Sequence, residues 1–209
     1  MSGLDPNADI VKYCLPMSPL WPATTRYRLR SAPSGLALVQ DLLNTRAIGD
    51  YGPDLLTAGC AASAWAAEAA TAWSEVSGIP APAMALTDRD AGRLRSLRAS
   101  LRALVVDERA PGEALPDVTV GFGLSGSGQL QLLPRGHGAH WLASAAWTEV
   151  LLSQYSSTWR RLKCCREAAC GSAFYDYSRN CSGIWHDVKT CGNRANLRSS
   201  RARRRSAQL

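Results

Sequence analysis

The sequence predicts a mainly α-helical protein with one small β-hairpin, ending in a compact cysteine-rich module and a basic helix. Three observations predict it. Between positions 35 and 158, apolar residues recur at helical spacings of three and four, interrupted once by two alternating apolar segments around a Gly/Ser turn. Five of the seven cysteines fall within residues 164–191. Charge is divided along the chain: residues 159–209 hold 12 of the 24 Lys and Arg but three of the 17 acids, so they carry +9 and the preceding residues −2.

Residues 1–34 contain five prolines and no sustained period, which predicts an irregular N-terminal arm. A helical body follows over 35–158. Leu36–Asn44 reads as a short helix, with Asn44 and Thr45 hydrogen bonding at its end. Cys60–Val76 is Ala-rich and helical, with Trp65 and Trp73 eight apart on a core face. Thr87 can cap the next helix, and Asp90 favours its dipole. Leu94, Leu97, Leu101, Leu104 and Val105 form its apolar stripe, leaving Arg93, Arg95, Arg98 and Arg102 as a solvated face. A β-hairpin is expected near 118–133, around Ser125–Gly128. Gly121–Gly126 satisfies GxGxxG in letters only, because a turn and strand follow where a dinucleotide site needs a helix. Residues 138–160 resume a helix with Trp141, Ala145, Leu152, Tyr155 and Trp159 along one side. No Pro/Gly/Ser-rich linker separates it from the last segment, 159–209, so the two should pack together.

The chain has no run of 18 apolar residues and no basic, apolar leader at Met1–Tyr13, so neither a membrane helix nor a secretory signal is expected. That predicts a cytoplasmic protein without a membrane partner. An odd cysteine count in that setting argues for metal or lone thiols rather than a disulfide framework. Cys165-x4-Cys170-x15-His186-x4-Cys191 presents two ligand pairs separated by a loop fit for a small treble-clef-like or ribbon-like zinc site. Three thiolates and one imidazole close a tetrahedral shell, so the expected Zn²⁺ is single and structural. Cys164 could stand in for Cys165, and Cys181 for His186. The segment has few apolar side chains, and zinc binding, worth on the order of 10 kcal/mol in small fingers, would supply the missing stability.

Residues 165–194 resemble the bacterial CGNR zinc finger, named for the Cys-Gly-Asn-Arg that is Cys191–Arg194 here. Leu162-Lys163, Phe174-Tyr175-Asp176, Ser178-Arg179-Asn180 and Trp185 are further landmarks. The family pattern has Cys where this chain has His186, which keeps a competent ligand; Cys181 stands where Arg is common, which favours a non-ligand. Residues 35–158 are similar to the ABATE domain that precedes this finger in the family, on Gly35–Thr45 and on helix order. The resemblance implies a stress-responsive transcription regulator.

After Cys191, Asn193–Arg205 lacks Pro and Gly, and Arg194, Arg198, Arg201 and Arg205 fall on one helical face. Such a like-charged row repels itself, and phosphates relieve it. With Lys163, Arg179, Arg203 and Arg204 it forms the expected nucleic-acid surface, with DNA the first partner. RNA would use the same charge and the aromatics Phe174, Tyr175 and Tyr177. Catalytic motifs are scarce: His137 and His140 lack a nearby acid, and nothing beside Cys14 or Cys60 would activate a thiol. An enzyme or small-molecule-binding reading would place a substrate or effector among Trp65, Trp73, Trp141 and Trp147 in the body. A homodimer through the body is a further expectation.

Overall fold

The computed structural model describes residues 20–48, 52–107, 117–167 and 169–206. Among these residues, six α-helices and two small antiparallel sheets follow in chain order: α1 (Pro22–Thr25), α2 (Leu36–Leu43), α3 (Gly59–Ser77), α4 (Asp88–Val105), β1 (Val120–Leu124), β2 (Leu130–Pro134), α5 (Ala139–Tyr155), β3 (Leu162–Cys164), β4 (Ala173–Tyr175) and α6 (Asn193–Ser206). Of the predicted N-terminal arm and its Cys14, residues 1–19 lie outside the described residues. Residues 20–34 pack closely on the body, with Trp21, Ala23, Tyr27 and Ala32 buried around the single turn of α1.

The helical periodicities translate directly into packing. Helix α5 is central, with every residue from Ser144 to Val150 buried against α2, α4 and β2. Leu94, Leu97 and Leu101 point α4 into the same core, and burying a leucine stabilises by about 1.5–3 kcal/mol. Thr87 opens α4 through a reciprocal capping box: Asp90 N–H donates to Thr87 Oγ1 at 3.2 Å, and Thr87 N–H to Asp90 Oδ2 at 3.1 Å. Trp73 and Trp141 meet edge to face with centroids 5.3 Å apart. The indoles of Trp65 and Trp73 donate to the buried carboxylates of Asp41 and Glu149, each at 2.8 Å. Strands β1 and β2 pair with Leu124 opposite Leu130, and Gly121–Leu124 runs on as strand into a turn, where a dinucleotide site would need a helix.

Two expectations change. The stripe drawn from Trp141 to Trp159 breaks, because α5 ends at Tyr155 and Ser157 takes the left-handed backbone at φ 58°. The helix has by then passed the edge of the body, leaving Leu152 and Tyr155 exposed. The arginines of α4 are also not a free, solvated face. Arg98 forms a two-pronged ion pair with Asp54 at 2.6 and 2.8 Å, and Arg102 donates to the Gly171 carbonyl at 2.9 Å. Arg95 donates to the Leu56 carbonyl. Long side chains reach across to neighbours that helical spacing does not reveal.

The last segment is packed on the body, as the missing linker predicts. Asn44 reaches past its own helix end: its side chain accepts from Ala173 N–H and donates to the Ala173 carbonyl, both at 2.9 Å. Gln40 adds a second donor to that carbonyl at 3.3 Å. Thr45 does bond locally, to Leu42. Tyr177 also donates to Ser31 O at 2.6 Å, and its ring lies beneath the Arg30 guanidinium, whose carbon is 3.7 Å from the ring centroid.

Candidate metal centre and basic helix

Strands β3 and β4 form a three-residue ladder whose connection carries the first ligand pair. Cys165 N–H closes the hairpin onto Ser172 O at 2.8 Å, and Cys170 and Gly171 N–H both turn back onto Glu167 O. This tight turn aims Cys165 and Cys170 at one point. The second pair comes from His186 and from Cys191 in a π-helical turn, Val188–Gly192, that leads straight into α6. Asp187 starts that turn, accepting from Lys189 N–H and Thr190 Oγ1.

One ligand atom from each of Cys165, Cys170, His186 and Cys191 lies within 4.8 Å of every other. His186 turns Nδ1 to the sulfurs, 3.3 Å from Cys170 and 3.6 Å from Cys191. A tetrahedral zinc with sulfurs at about 2.3 Å needs ligand atoms roughly 3.8 Å apart, so the four residues fit the ion as they stand. Three sulfurs and a nitrogen form a soft, closed donor set suited to structural zinc. The three cysteines are buried, among Tyr27, Ile48 and Phe174. A hydrogen bond from Cys165, with others from His186 and Ser172, outweighs burial and holds the Cys170 thiol well below its ordinary range. The bond it gives to Cys170, together with burial, pushes Cys165 up, and burial does the same to Cys191. Proton and metal compete for these sulfurs.

The other two cysteines of the segment lie apart from this cluster. Cys164 stands outside the quartet, and Arg102 donates to its sulfur at 3.3 Å. Cys181 also stands outside, its thiol directed to Arg160 O at 3.6 Å.

The landmarks around the ligands form a supporting shell. Lys163 Nζ donates to Asp176 Oδ2 at 2.7 Å and to the carbonyls of Cys181 and Gly183. Burial works against the Asp176 charge, but hydrogen bonds from Lys163, Ser178 and Gly183 prevail and hold its carboxyl well below the usual range. Lys163 was expected at the nucleic-acid surface. Instead its ammonium is fully engaged in fixing the loop before His186. Gly192 lies under the Trp185 indole, where an added Cβ would come within 3.1 Å of a ring carbon. Asn193 donates to Lys189 O at 2.8 Å and so joins α6 to the π-turn.

Helix α6 then presents the arginines unevenly. Arg198 grips the buried carboxylate of Glu167 with both nitrogens at 2.5 Å. The predicted row of Arg194, Arg198, Arg201 and Arg205 is therefore divided: Arg198 docks the first half of the helix on the finger. Arg201, Arg203, Arg204 and Arg205 are exposed beyond it, as is Arg179 in the loop, and none has an acidic partner among the described residues. Glu167 escaped sequence reasoning; its only signal was being one of three acids in a basic segment.

Of the three aromatics, Phe174 and Tyr175 are buried, while Tyr177 is exposed and carries the Arg30 guanidinium on one face of its ring. Trp65, Trp73, Trp141 and Trp147 are core side chains, and Trp147 also lines a cavity of about 550 Å³ between α4, the ends of the first hairpin and α5. His137 and His140 are exposed. No helix among the described residues is long and apolar enough to cross a membrane.

A Cys3His cluster, its first pair on the connection of a short hairpin and its last ligand in the π-turn that leads into α6, defines a zinc-binding module. Residues 161–204 match the family model of the CGNR zinc finger. A search of curated proteins finds no match to the chain.

Proposed function

We propose that the chain binds duplex DNA through the C-terminal half of α6 and acts as a transcription regulator in the cytoplasm. The observation that carries this reading is the exposed group Arg201, Arg203, Arg204 and Arg205 on a helix held at two points, by Cys191 in the metal cluster and by Arg198 on Glu167. Fixing the helix before it meets its partner lowers the ordering cost of binding. Guanidinium groups suit phosphate oxygens and guanine edges in two-pronged geometry. The hairpin-plus-helix layout reads as treble-clef-like with one structural zinc, and the body as the ABATE-like half of a stress regulator. Burial of Phe174 and Tyr175 favours duplex over single-stranded partners.

The test is fluorescence anisotropy of the zinc-loaded chain with a labelled mixed-sequence duplex across a salt series. Affinity should fall steeply with salt, and Arg201→Ala with Arg205→Ala should reduce the logarithmic salt slope by about 0.9 per lost phosphate contact. Binding that is absent, or unchanged in the double variant, overturns the reading.

A further inference from the structure

Between the end of α4 and the finger lies a half-open cavity of about 850 Å³ that the DNA reading does not use. Its lining includes the guanidinium-bearing Arg46, Arg102, Arg160 and Arg166. Arg46 and Arg102 flank the same spot: a Cβ added to Gly171, at φ 64°, would lie 3.2 Å from a terminal nitrogen of each. Both are half-buried, and neither meets a carboxylate among the described residues. Arg102 spends donors on the Gly171 carbonyl and the Cys164 sulfur. Burial, then the charges of Arg102 and Arg98, draw Arg46 below its ordinary value.

The other charged groups of the lining do not offset this. Lys163 is neutralised by Asp176, and Glu167 by Arg198, leaving Asp107, which is exposed. The lining therefore brings four arginines against one carboxylate without an ion-pair partner among the described residues, and the guanidiniums of Arg46 and Arg102 converge on one spot. Like charges held together at partial burial are costly unless an anion joins them. The lining also carries the apolar side chains of Leu104 and Trp159. Concave sites of this kind, apolar with a few convergent charges, bind small molecules.

We propose that this cavity binds a small phosphorylated molecule, its phosphate between Arg46 and Arg102 and an apolar or planar part against Leu104 and Trp159. A phosphate matches the site better than a single carboxylate, because its dianion and three terminal oxygens can engage two guanidiniums at once. The ligand would touch α4 on one side and β3 with its following loop on the other, so its occupancy bears on how the finger is held to the body.

The experiment is isothermal titration of the full, zinc-loaded chain with phenyl phosphate and with inorganic phosphate, at ionic strength fixed with chloride. Saturable binding is expected for both, tighter for phenyl phosphate. Arg46→Gln should weaken each by about tenfold or more, the size of a lost charge-assisted contact. Its guanidinium makes none of the hydrogen bonds that join the finger to the body, and an unchanged thermal melt will show that the variant is folded. Arg102→Gln should weaken binding similarly, and Arg135→Gln, on the exposed end of the first hairpin, should leave it unchanged. Absence of saturable binding, equal affinity for the two probes, or full affinity in Arg46→Gln overturns the proposal. If Arg46→Gln lowers only duplex DNA affinity, the cavity is a contact for the phosphate backbone and the small-molecule site does not exist.

Discussion

The side-chain amide of Asn44 satisfies both backbone groups of Ala173, accepting from its N–H and donating to its carbonyl at 2.9 Å. Strand β3 pairs with one edge of β4, and Asn44, just past the end of α2, stands in for a strand on the other, with Gln40 as a second donor to the same carbonyl. The finger is thereby joined to the body by the same groups that would extend a sheet.

Asn44→Ala should accordingly destabilise the zinc-loaded chain by about 2–4 kcal/mol, since it leaves a buried N–H without a partner. Urea unfolding followed by tryptophan fluorescence checks this. A shift of the midpoint smaller than that of an exposed control such as Arg93→Ala would show that the pairing is dispensable.

Zinc content should discriminate among the cysteines. Cys164→Ser and Cys181→Ser should retain about one zinc per chain, while Cys165→Ser, Cys170→Ser and Cys191→Ser should lose it or bind it far more weakly. His186→Cys should retain it, because a fourth thiolate is an equally competent ligand. Elemental analysis after dialysis against a mild chelator reads the result.

Arg198→Ala and the pair Arg203→Ala, Arg204→Ala should separate stability from binding. The first removes the partner of a buried carboxylate, so the thermal melt of the finger should fall. The second touches exposed side chains only, so the melt should stay within the scatter of the wild type while duplex affinity drops.

Asp41 gives the body a pH dependence of its own. Burial raises its carboxyl to about 6, despite hydrogen bonds from Trp65 and Thr24. The folded state then holds a proton that the unfolded chain releases near pH 4, so this group adds stability as pH falls from about 6 to about 4 and removes it as pH rises through 6. Asp41→Asn should abolish that component. The stability difference between variant and wild type, measured by urea unfolding, should grow by up to about 3 kcal/mol between pH 4 and pH 7. A pH-independent difference would mean that Asp41 titrates normally. Comparing the two proteins at each pH cancels the loss of zinc in acid.

Much of this molecule is legible in its sequence wherever the signal is local. Thr87 and Asp90 announce the start of α4, Leu94, Leu97 and Leu101 its buried side, and four ligands at spacings of four, 15 and four residues the metal cluster. Each of these depends on residues within a turn or a loop of one another. The sequence carries α5 on to residue 160, past its end at Tyr155, because apolar Leu152 and Tyr155 continue the helical period after the body has run out of surface to cover them.

The helical body, the hairpin and the spacing of the candidate metal ligands can be read along the chain, because backbone hydrogen bonding and metal coordination impose fixed short-range spacings, whereas the choice among neighbouring cysteines is made by their positions in the fold. The partners of the charged side chains are set in the same way. Lys163 turned inward to Asp176, Arg198 to Glu167 across 31 positions, and Arg98 to Asp54 across 44, while Arg201 and Arg203–Arg205 were left facing solvent. A flexible cation pairs with whichever carboxylate or carbonyl folding brings within reach, and that choice is made by packing, not by spacing along the chain.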